Sequence, residues 1–290
     1  MKPGPIARSA FSLLPAPVQG QVLRRLGRFP PWADGRAPAA PRYPAGMTVG
    51  PPEFVGVGVS KAGTSWWFSL ILAHPDVHPP ARKELLYFNR IFFERTRSQG
   101  YTESDLRAYH EWFPRPAGTI TGEWTPSYLF RYQLPPILRQ AAPEAKLLVL
   151  LRDPVERYQS DISRRMPRKR RHNVRYRSLV NGLYAAKLEP WEAVFQPAEM
   201  LVLQYEACAR QPGEQLAATY RFLGLDDSFR PGGLHAAVNK TTTKRRVDEG
   251  FKRMLVELYE PDVVALAARY PQIDLHLWPN FSYLAPGARP

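Results

Sequence analysis

The sequence predicts an α/β domain of three layers, in which a central parallel sheet is flanked by helices. Short apolar runs at residues 54–59, 146–151 and 200–205 have the length and composition of strands that are buried on both faces. A helical pattern follows each run, and strands that alternate with helices form parallel sheets through right-handed crossovers. Ligands of such sheets bind at the carboxyl ends of the strands, so we expect the functional site at that edge.

Proline and glycine mark boundaries in the helical patterns of the second half of the chain. The pattern at residues 178–195 predicts a helix interrupted at Pro190, and that at residues 251–270 predicts a helix divided at Pro261. A further helix is predicted to begin at Pro212 and to end at Gly224.

The first strand begins a unit of strand, tight turn and helix. Phe54–Val59 is followed by a glycine-bearing turn, by a block of helical length from Thr64 to Ala73, and by Pro75 as a stop signal. Backbone N–H groups converge at such a helix N-terminus, where the helix dipole also favours an anion. Gly58 and Gly63 have nearly the spacing of a nucleotide P-loop, so we predict a P-loop-like domain. A glycine-rich turn that holds no ligand is the alternative.

The loop lacks the lysine of a nucleotide P-loop. Thr64 occupies that position, so a kinase would lack its clamp on the γ-phosphate. The segment resembles instead the 5′-phosphosulfate loop of sulfotransferases, which use 3′-phosphoadenosine 5′-phosphosulfate (PAPS) and need no metal. The resemblance implies that Lys61 holds the 5′-phosphate and the bridging oxygen. It also implies that the donor is bound by the whole loop, Lys61, Ala62, Gly63, Thr64, Ser65 and Trp66.

A second phosphate-binding pattern follows the strand at residues 146–151. Arg152 stands at the strand end, Asp153 and Pro154 are start signals for a helix, and Ser160 lies on that helix. The guanidinium offers a planar fork to a phosphate, and a nearby hydroxyl adds a neutral donor. The alternative is that Arg152 and Ser160 bind no phosphate and are surface residues that flank an ordinary capped helix. The segment resembles the second sulfotransferase signature, which implies that Arg152 and Ser160 bind the 3′-phosphate.

The resemblance extends over about residues 53–281. Lys83-Glu84, followed by Phe88, is similar to the catalytic-base segment of the glycan-type branch from the Golgi and bacteria. This implies that Glu84 is the general base and that Lys83 assists it electrostatically; His78 and His110 are the alternative bases. The resemblance also implies that the donor site includes Tyr205, Lys244 and Arg245.

Two positions depart from the glycan-type pattern. Leu86 and Trp124 replace a histidine and a lysine that this branch often has, which makes an acidic glycosaminoglycan acceptor doubtful. Trp124, Tyr87 and Tyr128 could instead form a face for a neutral sugar, a lipid-linked headgroup or an aromatic natural product. The alternative is that the three aromatic side chains belong to the core.

Charge and composition limit the remaining possibilities. A net charge of +14 predicts an anionic ligand, nucleic acid or an acidic membrane surface as a partner. The basic run at residues 164–177 lacks the interleaved aromatics of a single-strand nucleic-acid surface, so we expect no nucleic acid partner. The single cysteine, and the lack of a membrane-length apolar run or signal-peptide pattern, favour a cytoplasmic protein without a cysteine-based metal site.

The proline-rich residues 1–52 form a predicted N-terminal arm, and residues 53–290 a predicted sulfotransferase domain. Within the arm, apolar and basic side chains at residues 6–29 predict a basic amphipathic helix from about Pro17, which either packs on the domain or contacts a membrane peripherally. The function implied is sulfuryl transfer from PAPS to a hydroxyl of a carbohydrate, glycolipid or hydroxylated natural product. A P-loop kinase, or a basic module that binds nucleic acid or membrane, is the alternative.

Overall fold

The computed structural model describes residues 40, 42–89, 101–163, 171–234 and 247–287, without the side chains of residues 171–174. Three predicted features lie outside these ranges: the amphipathic helix within residues 6–29, the donor-site residues Lys244 and Arg245, and residues 164–170 of the basic run. The strands are β1 Thr48–Val49, β2 Phe54–Gly58, β3 Pro114–Arg115, β4 Gly122–Trp124, β5 Lys146–Leu151 and β6 Met200–Gln204.

The α-helices are α1 Thr64–Ile71, α2 Glu103–His110, α3 Leu134–Ala141, α4 Pro154–Ile162, α5 Arg171–Val180, α6 Tyr184–Glu192, α7 Tyr205–Arg210, α8 Pro212–Leu223 and α9 Glu249–Arg269. Short 3-10 helices lie at Tyr128–Phe130, Pro197–Glu199, Leu275–Leu277 and Ser282–Leu284.

The main sheet has the strand order β4-β2-β5-β6, and each neighbouring pair is parallel. The predicted α/β class with a central parallel sheet flanked by helices is therefore confirmed. All five residues of β2 are buried, as a strand in the interior of the sheet requires. Because all four strands point the same way, the segments after β2, β4, β5 and β6 meet at one edge of the sheet. This carboxyl edge carries the candidate site.

Gly56 lets β2 and β4 pack at close range. A side-chain carbon at this position would lie 2.1 Å from the ring of Trp124, so only glycine leaves room for the indole. The indole N–H of Trp124 in turn donates to the carbonyl of Gly58 at 3.1 Å. Trp124 thus packs beneath the start of the glycine-bearing loop.

Helices cover the sheet in two groups. In one, α1 packs on α8, where the indole of Trp67 donates to the Thr219 hydroxyl at 3.2 Å. In the other, α9 packs on α6 and α4. The carboxylate of Asp262 on α9 accepts hydrogen bonds from the backbone of Ala185 and Ala186 at the start of α6. Within the described residues, none of the helices is long and apolar enough to cross a membrane.

Two helix boundaries differ from the sequence prediction, in both cases at a proline. We predicted a break at Pro261, yet α9 continues through it, because Leu255, Tyr259, Val263 and Leu266 are buried on both sides of it. Likewise α6 continues past Pro190, and the break in the predicted helical stretch lies instead at residues 181–183. Tertiary burial of the flanking turns outweighs the local cost of proline in both helices.

The end of the predicted N-terminal arm belongs to the folded unit. Strand β1 lies at residues 48–49 and pairs antiparallel with β3. Glu53 also forms an ion pair with Arg115 of β3 and accepts a hydrogen bond from the backbone of Thr121 at 2.9 Å. The chain is therefore held against the domain several residues before β2 begins.

Candidate active site

The glycine-bearing loop joins β2 to α1. Gly63 is the N-cap of α1 and has a φ of 84°, a left-handed conformation that favours glycine. A side-chain carbon there would also lie 2.7 Å from the Tyr205 ring, so glycine is required for space as well. Gly63 offers no side-chain cap, so the N–H groups of Thr64 and Ser65 at the start of α1 are not bonded to a cap side chain. The predicted binding of an anion there stays a prediction.

The other loop residues are arranged around this turn. Ala62, Thr64 and Trp66 are buried, and the Trp66 indole N–H donates to the carbonyl of Leu234 at 3.1 Å. The backbone N–H groups of Ala62 and Trp66 donate to carbonyls within the turn, at 3.3 and 3.0 Å, so of these three residues Thr64 has the N–H group best able to meet a donor. Lys61 and Ser65 are partly exposed, and Lys61 has a φ of 73°. Donor binding by all six loop residues stays a prediction.

Arg152, which follows β5, lies against the loop. Its guanidinium donates to the carbonyl of Lys61 at 3.2 Å and lies 5.1 Å from the centre of the Tyr205 ring. It also forms an ion pair with Glu156, one turn along α4, at 3.5 Å. Its Nε is buried and has no hydrogen-bond partner within the described part of the chain. The fold thus brings together Arg152, Tyr205 and the loop, residues that the sequence separates widely.

Ser160 lies on α4, about two turns from the start of the helix, and its side chain is half-buried. Its predicted role at a 3′-phosphate stays a prediction. Lys244 and Arg245 lie outside the described residues, so their predicted roles stay untested as well.

The predicted base segment lies on the other side of the loop. Lys83 donates a hydrogen bond to the Ser65 hydroxyl at the start of α1, and its ammonium lies 3.8 Å from the carboxylate of Glu84. Burial lowers the pKa of Lys83, while the neighbouring Glu84 carboxylate raises it. The Glu84 side chain is 46% exposed, so its carboxylate can reach an acceptor in solution. The structure therefore places Glu84, Lys83 and the loop in one cluster.

The base segment has an unusual backbone. Glu84 and Leu86 both have positive φ values, 57° and 54°. The left-handed conformation costs about 1–2 kcal/mol per non-glycine residue. Such backbone persists only where surrounding contacts hold it, and residues of this kind cluster at active sites.

A buried carboxylate beneath this segment was not predicted from the sequence. Glu123 of β4 is fully buried and accepts hydrogen bonds from the hydroxyls of Tyr109, Thr125 and Tyr128, at 2.8, 2.6 and 3.1 Å. The backbone of Leu85 also hydrogen-bonds to it. Burial raises the pKa of Glu123 to about 7, and these hydrogen bonds partly oppose the rise. A carboxylate within an otherwise apolar strand is the signal that could have indicated it.

A second buried carboxylate supports the donor side. Glu206 accepts hydrogen bonds from the backbone of Asp153 at 3.1 Å and from the indole of Trp278 at 2.9 Å. Asp153 in turn caps α4 and accepts from the backbone and side chain of Asn280. Burial raises the pKa of Glu206 to about 7. This network fixes the turn that carries Arg152, and the role of Asn280 was not predicted from the sequence.

The predicted acceptor face requires correction. Tyr87, Trp124 and Tyr128 are 2%, 0% and 0% exposed. The hydroxyl of Tyr87 donates to the carbonyl of Asp105, and that of Tyr128 to Glu123. The three rings are therefore part of the core, the alternative that the sequence left open, because their polar atoms have partners inside the protein. They offer no face to an acceptor.

The alternative bases lie at the wrong edge of the sheet. His110 ends α2, and its ring nitrogen lies 2.6 Å from the carbonyl of Ala141 at the end of α3, the helix that leads into β5. The backbone of His78 donates to Ile120, just before β4. Both histidines thus lie near the amino ends of strands, opposite the loop, which leaves Glu84 as the candidate base. Among the described residues, no cluster of His, Cys, Asp or Glu could hold a metal ion.

Comparison with known proteins agrees with this geometry. The model of the sulfotransferase domain family matches residues 51–247 of the 290-residue chain. The chain is similar to the mouse heparan sulfate glucosamine 3-O-sulfotransferase 3B1, with 32% identity over 191 residues, 60% of this chain and 46% of that protein. It is also similar to mouse heparan sulfate glucosamine 3-O-sulfotransferase 6, with 30% identity over 237 residues, 76% of this chain and 64% of that protein. The chain thus spans less than two thirds of the length of both relatives.

A solved sulfotransferase from Alicyclobacillus acidocaldarius has a similar fold. It aligns with a TM-score of 0.62 and 26% identity, and the alignment covers 79% of this chain and 99% of that chain. The family model covers well over half of the present chain, including the loop, Arg152 and Glu84. The heparan sulfate relatives support the glycan-type branch, which the segment from Lys83 to Phe88 predicted. The chain therefore belongs to the sulfotransferase domain family, as its two phosphate-binding motifs predicted.

Proposed function

We propose that this protein transfers the sulfuryl group of PAPS to a hydroxyl of a carbohydrate acceptor. The observation that carries the proposal is the cluster at the carboxyl edge of the sheet, where an anion-binding loop, an arginine and a partly exposed carboxylate meet. The relatives support a glycan hydroxyl as acceptor, because they are named as glucosamine 3-O-sulfotransferases.

The residues present fit a bisphosphorylated nucleotide. The buried Nε of Arg152 has no hydrogen-bond partner among the described residues. Because burial keeps water from this N–H group, a hydrogen bond to an anionic oxygen stabilises it. The loop amides at the start of α1 offer a second anion site beside it. We assign the 5′-phosphate to the loop with Lys61 and the 3′-phosphate to Arg152, with Ser160 as a further candidate.

When bound, PAPS supplies the sulfuryl group and leaves as 3′-phosphoadenosine 5′-phosphate (PAP). Glu84 accepts the proton of the acceptor hydroxyl, whose oxygen forms the new bond to sulfur as the bond to the phosphate oxygen breaks. Lys83, which already contacts both Ser65 and Glu84, lies where it can stabilise the negative charge that develops at the loop. Lys61 contributes a second cation to the same region.

The acceptor pocket differs from the one we predicted from the sequence. Since Trp124 is buried, the replacement of lysine by tryptophan at this position alters the core beneath the loop and supplies no stacking surface. We therefore propose a carbohydrate hydroxyl without assigning a ring that stacks on it. Neutral glycosides and heparan-type oligosaccharides are the two classes that an assay with labelled PAPS should compare first.

Binding of PAP provides the direct test. PAP should raise the thermal unfolding midpoint without magnesium, and EDTA should leave the shift unchanged, because a ligand that binds only the folded state stabilises it by mass action. ATP with magnesium and duplex DNA are the matched comparisons for the kinase and nucleic-acid alternatives. A shift with ATP and magnesium, together with no response to PAP, would overturn the proposed function.

A further inference from the structure

The conformation of the Glu84 segment depends on a carboxylate that lies beneath it. The segment carries two left-handed residues, Glu84 and Leu86, so its local preference does not favour the observed backbone. The backbone N–H of Leu86 donates to the Thr125 hydroxyl at 3.2 Å, and that of Phe88 donates to the Tyr128 hydroxyl at 3.4 Å. Both hydroxyls belong to the turn that follows β4.

Glu123 sets the direction of these two hydroxyl groups. An ionised carboxylate can only accept hydrogen bonds, so Thr125 and Tyr128 must donate their hydrogens to it. Their oxygen lone pairs then face the backbone N–H groups of Leu86 and Phe88. The hydroxyl of Tyr109, from α2, also donates to Glu123, at 2.8 Å. The Glu123 carboxylate thus begins two chains of hydrogen bonds, which we call relays. One runs through Thr125 to the backbone of Leu86, and the other runs through Tyr128 to the backbone of Phe88.

We propose that Glu123 is a positioning residue that fixes the backbone of residues 84–88 through the Thr125 and Tyr128 hydroxyls, and so directs the carboxylate of Glu84. The inference deepens the proposed function and rests on it for the role of Glu84.

Protonation of Glu123 should loosen the relays. A protonated carboxyl group donates one hydrogen. The hydroxyl group that accepts this hydrogen can no longer donate its own hydrogen to the same carboxyl oxygen. The titratable groups that face Glu123 are Tyr109 from α2 and Tyr128 from the 3-10 turn, with Tyr87 next to Tyr109. Burial raises the pKa of Glu123 to about 7, which places the change near neutral pH.

Hydrogen exchange of the full-length protein tests the positioning directly. Glu123→Gln presents an amide that donates to one of the hydroxyls, so protection of the backbone N–H bonded to that hydroxyl, Leu86 or Phe88, should fall about tenfold, the loss expected for one weakened hydrogen bond. In the wild type, the protection factors should fall between about pH 8 and about pH 6, and in Glu123→Gln they should be low at both values. Glu206→Gln is the matched control, since it alters a buried carboxylate with a similarly raised pKa but no contact with this segment in the described structure.

Two more conservative substitutions, both at Thr125, test the proposal if Glu123→Gln fails to fold. Thr125→Val keeps the side-chain shape and removes one relay, whereas Thr125→Ser keeps the hydroxyl. Protection of Leu86 should fall in Thr125→Val and recover in Thr125→Ser. With a carbohydrate acceptor, kcat should follow the same order, while the Kd for PAP stays unchanged.

The two hypotheses can fail separately. Unchanged protection in both Glu123→Gln and Thr125→Val would overturn the positioning role, whatever reaction the protein catalyses. Lack of PAP binding by the wild type would instead overturn the proposed function, and calorimetry reads this without any acceptor. Loss of kcat in Thr125→Val that Thr125→Ser fails to restore would also contradict the relay.

Discussion

Replacement of Arg152 by alanine tests the donor site most sharply, because the structure defines what the guanidinium can still bind. One nitrogen donates to the carbonyl of Lys61, and another is paired with Glu156 at 3.5 Å. Nε is buried without a partner among the described residues. The other two nitrogens each keep a second hydrogen, so a 3′-phosphate can accept from Nε and from these hydrogens as well. Loss of the Nε bond alone sets the smallest expected penalty of the substitution.

One charge-assisted hydrogen bond contributes about 1.5–3 kcal/mol. Arg152→Ala should therefore raise the Kd for PAP by about 10–150-fold, since each 1.4 kcal/mol corresponds to a factor of ten. Arg152→Lys keeps the charge but loses the planar fork, so it should restore only part of the affinity. Isothermal titration calorimetry measures all three proteins.

A comparison of ligands separates phosphate binding from support of the loop. The penalty of Arg152→Ala should vanish for 5′-AMP, which has no 3′-phosphate. Arg221→Ala is the charge control, because this arginine is 69% exposed and is paired with Asp227 at the opposite edge of the sheet. If Arg152→Ala weakened 5′-AMP as much as PAP, Arg152 would serve the loop, and the assignment of the 3′-phosphate would be wrong.

Three further predictions follow from the same geometry. Glu84→Gln should retain PAP affinity and lower kcat by about 10²–10⁴-fold, the usual contribution of a general base, as measured by steady-state kinetics with labelled PAPS; near-full turnover would place the base elsewhere. Gly63→Ala should lower the thermal midpoint by several degrees, because a left-handed alanine costs about 1–2 kcal/mol and its Cβ would lie 2.7 Å from the Tyr205 ring. Gly213→Ala is the matched control and should show no loss, because nothing lies within 4 Å of a Cβ at that position. Burial raises the pKa of Glu206 to about 7, so the folded state binds more protons than the unfolded chain and stability should fall as pH rises from about 4.5 to about 7. Glu206→Gln should make the thermal midpoint less dependent on pH over that range, and an unchanged dependence of the midpoint on pH would contradict the raised pKa.

Most of the fold could be predicted because its signals are local. The apolar runs that became β2, β5 and β6 and the glycine that ends α8 act through short-range patterns, and the structure agrees with each. Pro190 and Pro261 were misread for the same reason, since a local rule places a break where burial of the neighbouring turns keeps the helix intact.

Aromatic residues were the least predictable part of the site. Trp124 follows a glycine and a glutamate at the carboxyl edge of the sheet, where a ligand-facing ring would be expected from sequence alone. Its ring instead fills the space left by the missing side chain of Gly56, a residue 68 positions earlier. Such complementarity between strands cannot be read from either segment by itself.

The sequence by itself determined the parallel sheet, the glycine-bearing loop and the arginine after β5, because each depends on residue type and spacing along the chain. The roles of Lys61 and of Glu84 as candidate base came from the resemblance to the sulfotransferase family. Only the tertiary structure decided that Arg152 contacts the loop, that Lys83 bonds to Ser65, and that His78 and His110 lie at the far edge of the sheet. It also revealed Glu123 beneath the base segment, since the partners of a buried carboxylate come from strands, helices and turns that meet only when the chain has folded.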